Sequence, residues 1–156
     1  DLNSKNADAY YNRAIVYEDL NELDKAIADY GKNIELDPKS ARAYYNRGIL
    51  YDQQGKTDQA IADFSNAMEF APTSPKPYNN RGIVYQEKGN LDQALADFSK
   101  AIEIDPSFAF AYLNRAQVYQ EKNIKDKALA DFEKYLELDP ASPYRAQVEQ
   151  WMNGLK

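Results

Sequence analysis

The chain has 156 residues, of which 44% are hydrophobic, and its 25 Asp and Glu outnumber its 19 Lys and Arg to give a formal net charge of −6. This length is typical of a single domain, and the acidic balance argues against a general nucleic-acid-binding protein, which would carry a basic surface. Because Cys and His are absent, disulfides, a thiol nucleophile, a histidine base and most zinc sites are excluded. No apolar run approaches the roughly 20 residues of a membrane-spanning helix. We therefore expect no catalytic residues, no cofactor, no metal and no membrane insertion.

Residues 1–6 resemble the end of a longer pattern. Their sequence, DLNSKN, is similar to ELDPKS at residues 35–40, with Ser4 in place of the proline. We interpret residues 1–6 as the tail of a preceding or degenerate repeat.

From residue 7 onward the chain repeats with a period of 34 residues, marked by Pro38, Pro72, Pro106 and Pro140. The four repeats are residues 7–40, 41–74, 75–108 and 109–142, and we number the positions in each from its first residue. Tyrosines fill positions 4 and 11: Tyr10, Tyr44, Tyr78, Tyr112 and Tyr17, Tyr51, Tyr85, Tyr119. A small residue fills position 8 (Ala14, Gly48, Gly82, Ala116), an alanine position 20 (Ala26, Ala60, Ala94, Ala128), and an aromatic position 24 (Tyr30, Phe64, Phe98, Phe132).

Each repeat is predicted to form two antiparallel helices. Positions 4, 8 and 11 lie on one helical face, and positions 20, 24, 27 and 28 lie on another. The turn between them ends in an aspartate at position 18, which is placed to cap or charge-stabilise the second helix, and the proline at position 32 ends that helix. A glycine inside a helix costs about 1 kcal/mol. We therefore interpret Gly48 and Gly82 as places where alanines of the second helix approach closely.

Residues 143–156 lack the repeat pattern but keep an apolar stripe at helical spacing: Val148, Trp151, Met152 and Leu155. Ser142 is predicted to be the N-cap of this helix and Pro143 its first residue. We expect a capping helix that shields the last repeat.

The pattern resembles the tetratricopeptide repeat, a 34-residue helix-turn-helix unit, over residues 7–142. The resemblance implies an all-α fold in which four repeats form a right-handed α-α superhelix, closed by the C-terminal capping helix. The chain departs from the family at position 7, where arginine replaces the usual leucine. It departs again at position 27, where Asn33 and Tyr135 replace the usual alanine.

Every repeat contains an arginine and an aspartate at positions suited to pairing. Position 7 holds Arg13, Arg47, Arg81 and Arg115, and position 23 holds Asp29, Asp63, Asp97 and Asp131. Because the two helices of a repeat are antiparallel, these positions should lie near each other. We predict structural Arg–Asp pairs, in or between repeats, rather than a row of phosphate-binding sites.

The asparagines at position 6 are the first candidates for a binding site. In the family this position points into the concave groove, and the chain has Asn12, Asn46, Asn80 and Asn114 there. An amide offers two donors and an acceptor, so a column of them can pair with successive peptide units of an extended chain, as in the asparagine ladder of some tetratricopeptide superhelices. The alternative is that asparagine is polar filler on a solvated face.

Three further positions of the first helix vary between repeats, as residues that set specificity should. Position 2 holds Asp8, Arg42, Lys76 and Phe110, position 5 holds Tyr11, Tyr45, Asn79 and Leu113, and position 9 holds Ile15, Ile49, Ile83 and Gln117. We call positions 2, 5, 6 and 9 the groove positions. The apolar members indicate contacts with a partner's side chains, and the alternative for each is an incidental surface residue.

The resemblance implies a protein–protein interaction module whose groove binds an extended peptide or a helix of a partner protein. The alternative is an architectural module that self-associates through its repeat ends; a monomer is favoured, and the cytoplasm is slightly favoured as the compartment.

The family's carboxylate clamp for chaperone tails uses five positions, at which this chain has Tyr11, Ile15, Asn46, Lys76 and Asn80. Only Asn46 and Lys76 match the clamp, so we do not expect binding of an EEVD-type tail.

Overall fold

The computed structural model describes residues 6–155, and all of the regular secondary structure in that range is α-helical. The helices are α1 (Ala7–Asp19), α2 (Leu23–Leu36), α3 (Ala41–Gln53), α4 (Thr57–Phe70), α5 (Pro75–Glu87), α6 (Leu91–Ile104), α7 (Ala109–Glu121), α8 (Lys125–Leu138) and α9 (Arg145–Leu155). The helices of successive repeats begin 34 residues apart, so the backbone follows the period of the sequence. Of the segment interpreted as a repeat tail, only Asn6 belongs to the described residues; its side chain caps α1 by accepting a hydrogen bond from the backbone N–H of Ala9.

The chain divides into two compact units, one ending at Thr73 and one beginning at Ser74. In the N-terminal unit α1 packs against α2, α3 packs against α4, and α2 also contacts α3. In the C-terminal unit α5 packs against α6 and α7 against α8, while α6 contacts α7, α5 contacts α7 and α9 packs against α8. Helices that are adjacent in sequence therefore make most of the packing in each unit.

At Gly48 and Gly82, which occupy position 8, an aromatic ring fills the space that a side chain would take. A Cβ atom added to Gly48 would lie 2.8 Å from the Phe64 ring, and one added to Gly82 would lie 2.7 Å from the Phe98 ring. Both distances are shorter than van der Waals contact. The close neighbour is thus the aromatic residue at position 24, which corrects the expectation that alanines of the second helix approach there.

The turn inside each repeat requires one residue in the left-handed region. Position 15 fills this role, with φ of 57° at Asn21 and Asn123, 70° at Gly55 and 76° at Gly89. Glycine and asparagine adopt positive φ more readily than other residues. The aspartate at position 18 is the second residue of the following helix, and none of the second helices in the described range has a side-chain capping bond. Of the two roles predicted for this aspartate, charge stabilisation of the helix start is therefore the one that its position supports.

The C-terminal helix begins later than the sequence suggested. The hydroxyl of Ser142 accepts a hydrogen bond from the backbone N–H of Tyr144 (3.1 Å) and contacts the hydroxyl of Tyr135. This local bond forms a turn, so α9 starts at Arg145 rather than at Pro143. The predicted apolar stripe does pack against the last repeat, where Val148 is fully buried.

None of the helices within residues 6–155 combines the length and the apolar character that crossing a bilayer requires.

Candidate functional site

The predicted Arg–Asp pairs are present in all four repeats, each within a single repeat. The Nε–Oδ2 distances are 2.5 Å for Arg13–Asp29, 2.7 Å for Arg47–Asp63, 2.8 Å for Arg81–Asp97 and 2.7 Å for Arg115–Asp131. In every pair Nη2 also donates to Oδ1, at 2.7–2.9 Å, which makes the pairs bidentate. The hydrogen bonds to Asp97 and Asp131 raise the pKa of Arg81 and Arg115 above the usual arginine value. These arginines are therefore charged, and their hydrogen bonds to aspartate connect the two helices of each repeat.

Tyrosine rings at positions 4 and 11 flank the paired arginine. In repeat 2 the guanidinium carbon of Arg47 lies 5.7 Å from the ring centroid of Tyr44 and 5.6 Å from that of Tyr51. The same arrangement occurs in repeats 1 and 4, at distances typical of cation–π contacts. The repeated tyrosines thus pack around the ion pair.

In the N-terminal unit the groove positions are partly engaged by neighbours in the chain. Arg42 forms an ion pair with Asp8, and its guanidinium carbon lies 4.3 Å from the ring centroid of Tyr11. The other apolar groove positions of this unit are exposed or half-buried: Ile15, Tyr45 and Ile49. A partner could contact these side chains without a large rearrangement.

The two asparagines at position 6 of the N-terminal unit have different surroundings. Nδ2 of Asn46 donates to the hydroxyls of Tyr11 (3.1 Å) and Tyr30 (3.0 Å), and the Tyr30 hydroxyl donates to Glu18. Burial, together with the bond to the Glu18 carboxylate, raises the pKa of Tyr30, so this hydroxyl keeps its proton. The Asn12 side chain is exposed, and its amide forms no hydrogen bond with another described residue. Asn46 therefore links repeat 2 to repeat 1, a role that sequence reasoning missed, while the Asn12 amide is available.

In the C-terminal unit two of the predicted site residues are almost fully buried. Asn79 is 5% exposed and Leu113 is 7% exposed, so little of either side chain is available to a partner. Nδ2 of Asn114 donates to Oδ1 of Asn79 (2.9 Å), which again links position 6 of one repeat to position 5 of the repeat before it. The remaining groove positions of α5 are exposed or half-buried: Lys76, Asn80 and Ile83.

A pocket of about 420 Å³ lies between α7 and the C-terminal segment. The groove positions of repeat 4 form one side of it: Phe110, Leu113, Asn114 and Gln117. The other side is formed by Tyr144, Gln147 and Trp151. The structure thus brings together all four groove positions of one repeat and adds three residues that the sequence did not suggest as binding residues.

The three additional residues share a helical spacing that the sequence does contain. Tyr144, Gln147 and Trp151 are separated by three and four residues, which places them along one stripe of α9 and the turn before it. From the sequence, Trp151 is predicted to belong to the stripe that shields the last repeat, and Tyr144 and Gln147 have no predicted role. Only the packing of α9 against α8 shows that this stripe faces α7.

The lining of the pocket is uncharged. Its polar groups are amides, the Tyr144 hydroxyl and the Trp151 indole N–H, and within the described residues the amides of Gln117 and Gln147 form no hydrogen bond. Such a pocket can hold an uncharged group while the amides pair with a peptide unit beside it.

Within residues 6–155, no three His, Cys, Asp or Glu side chains are grouped as a metal site would require.

Comparison with protein families identifies the repeat. A family model described as tetratricopeptide repeat matches residues 41–74 and 75–108, a second so described matches residues 109–142, and a model described as TPR repeat matches residues 19–55. No curated protein sequence matches the chain significantly.

Solved structures share the fold. A crystal structure of MamA is 28% identical with a TM-score of 0.84, covering 88% of this chain and 81% of that one. A tetratricopeptide repeat protein from Parabacteroides merdae is 20% identical with a TM-score of 0.85, covering 96% and 59%. The first TPR of Spaghetti (RPAP3), bound to the HSP90 peptide SRMEEVD, is 26% identical with a TM-score of 0.70, covering 76% and 95%. These matches confirm the predicted all-α repeat fold.

Proposed function

Because the chain belongs to the tetratricopeptide repeat family, we propose that it is a non-catalytic protein-interaction module whose groove positions bind an extended segment of a partner protein. The observation that carries the proposal is the pocket between α7 and α9, because the four groove positions of repeat 4 line it. Its volume lies within the range of about 300–1,000 Å³ that is usual for ligand sites. A similar architecture holds a peptide in the Spaghetti complex, which supports an extended segment as the ligand.

The chemistry of the groove positions argues for a different peptide from that of the Spaghetti complex. Of the five clamp positions for an EEVD-type tail, this chain matches the family only at Asn46 and Lys76. At Asn46 the side-chain amide already donates within its own chain, to the hydroxyls of Tyr11 and Tyr30, instead of to a ligand. We therefore expect the partner segment to be held by apolar contacts and by amide hydrogen bonds rather than by pairing of its carboxylates.

The proposed asparagine ladder can be tested at Asn12, because the side-chain amide of this residue is not bonded to another described residue. Replacing Asn12 by alanine removes an exposed amide without breaking a hydrogen bond to another described residue. Loss of one hydrogen bond to a peptide should weaken binding by about 0.5–1.5 kcal/mol. Asn46→Ala would also remove a link between repeats, so a loss of affinity there would have two causes.

The experiment begins with linear peptides selected from a random display library against the intact chain. Each selected peptide is titrated into the isotopically labelled protein, and the amide chemical shifts that change are mapped. We expect them to cluster on the first helices of the repeats, α1, α3, α5 and α7, and on α9. Shifts confined to the second helices, or the absence of any peptide that binds saturably, would refute the proposed function.

Asn153→Ala is the matched control for the ladder, because Asn153 is exposed on α9 and is neither a groove position nor part of the pocket lining. For peptides whose shift map includes α1, Asn12→Ala should weaken binding and Asn153→Ala should leave it unchanged. Equal affinities of the two variants would contradict a backbone-binding role for the asparagines and favour polar filler.

Self-association is the second candidate function, favoured by an exposed apolar face on α1. Position 10 is buried in the three later repeats, at Leu50, Val84 and Val118. Val16 at the same position is 53% exposed, and Leu20, one turn later, is 61% exposed. A second copy of the chain would cover both side chains, so Val16→Lys should abolish any dimer seen by sedimentation velocity. A monomer at every concentration of the parent chain would rule this candidate out.

A further inference from the structure

The pocket between α7 and α9 differs from the other groove positions in charge. Its seven lining residues include no acid, no lysine and no arginine, whereas position 2 is Asp8, Arg42 or Lys76 in the other repeats. A charged group placed in such a pocket would lose water without gaining a partner of opposite charge, which is costly. The lining therefore selects for an uncharged ligand group.

The pocket also gathers exposed aromatic surface. Phe110 and Tyr144 are both 47% exposed and are among the few large apolar side chains that the described residues leave exposed. They come from separate segments, yet both line this pocket together with Trp151 and the nearly buried Leu113. Clustered exposed aromatic side chains around a concave, well-packed floor are typical of the point where a partner inserts one large side chain.

Repeat 4 breaks the pattern of the earlier repeats at this pocket. Position 9 is isoleucine in the first three repeats and becomes Gln117 in the fourth. Gln147 lies on the opposite side of the pocket, and neither amide is bonded to another described residue. The two amides can therefore pair with the backbone N–H and C=O groups that flank an inserted side chain.

We infer that this pocket takes one bulky uncharged side chain, aromatic or leucine-like, from an extended partner segment, and that Gln117 and Gln147 bind the backbone beside it. The inference rests on the proposed function and specifies which kind of partner side chain the pocket between α7 and α9 binds. A carboxylate, whether a side chain or a chain terminus, is excluded from the pocket.

The fluorescence of Trp151 can report on this pocket, because Trp151 is the single tryptophan of the chain. The probes are synthetic peptides made from the display-selected sequences, without tryptophan, together with versions in which the bulky residue is replaced by alanine or glutamate. We expect binding to change the Trp151 emission saturably, with the same Kd as calorimetry. Replacing the bulky residue by alanine should weaken binding about 10- to 100-fold, and glutamate should weaken it at least as much.

A matched pair of protein variants locates the effect. Gln147→Glu and Gln150→Glu make the same change at exposed residues of α9, but only Gln147 lines the pocket. We expect Gln147→Glu to weaken binding of the bulky-residue peptide about tenfold or more and Gln150→Glu to leave it unchanged. Phe110→Ala, at a partly exposed aromatic residue, should weaken the same peptide and reduce its preference over the alanine version.

The outcomes separate this inference from the proposed function. Peptides that bind with shifts on the first helices, but leave the Trp151 emission unchanged and bind the two glutamate variants equally, would overturn the pocket assignment and leave the proposed function standing. Preference for the glutamate peptide would also overturn it. If no library peptide binds saturably, the proposed function fails and the inference fails with it.

Discussion

Replacing Arg47 by methionine tests whether the Arg–Asp pairs hold each repeat together. The substitution removes both hydrogen bonds to Asp63, at 2.7 and 2.8 Å, and leaves an aspartate side chain that is only 5% exposed without its partner. Methionine is flexible and apolar, so it can fill much of the vacated space between Tyr44 and Tyr51. The energetic cost then comes chiefly from the unpaired carboxylate.

The expected cost follows from the burial of the pair. Removing one partner of a buried ion pair destabilises a protein by about 3–5 kcal/mol, and we expect about 3 kcal/mol because the Arg47 side chain keeps 19% of its surface exposed. Repeat 1 supplies a matched comparison, since the Arg13 side chain is 41% exposed. Asp29 is itself only 7% exposed, but the solvent that reaches Arg13 can replace part of the lost hydrogen bonding, so Arg13→Met should cost less than Arg47→Met.

The assay is urea denaturation of the parent and both variants, followed by helical circular dichroism. With an m-value of about 1–3 kcal/mol per molar urea, a loss of about 3 kcal/mol lowers the midpoint by about 1–3 M. An unchanged midpoint for Arg47→Met, or equal shifts for the two variants, would refute the reasoning. Adding Asp63→Leu to Arg47→Met should recover much of the loss, because the unpaired charge is then gone.

Three further substitutions test the packing, the turn and the pH dependence. Gly48→Ala should lower the free energy of unfolding by about 1–3 kcal/mol through overpacking, because its Cβ would lie 2.8 Å from the Phe64 ring. Thermal denaturation measures the loss, and Gly154→Ala, whose Cβ would have no atom within 4 Å, should show none. Gly55→Ala places a Cβ on a residue with φ of 70° and should cost about 1–2 kcal/mol; an unchanged melting temperature would contradict this. Burial raises the pKa of the Asp52 carboxyl, so the folded state binds this proton more tightly than the unfolded state and loses stability as the pH rises from the unfolded pKa through the raised one. Asp52→Asn should therefore gain in melting temperature relative to the parent between pH 3 and pH 7, and a constant difference would show that Asp52 does not titrate abnormally.

Much of the local architecture follows from the sequence because its causes act within one repeat. Helical periodicity and turn chemistry depend on residues a few positions apart, and the Arg–Asp pairs depend on two helices joined by a short turn. Position 7 could be matched to position 23 from their antiparallel arrangement alone, and the bidentate geometry of Arg47 with Asp63 agrees with it. The sequence did not show which side chain lies closest to Gly48, because an alanine and a phenylalanine of the second helix both lie near it in register.

The candidate site depended on contacts between segments that are far apart in the chain. The sequence by itself determined which face of the first helices varies, and so identified Phe110 and Gln117 as candidates. Only the tertiary structure decided that Tyr144 and Trp151 lie opposite them, that Leu113 is nearly buried, and that the Asn46 amide is used to join two repeats. The physical reason is that periodicity specifies the direction of a side chain on its own helix, whereas the partner that it meets is set by how helices from different repeats pack.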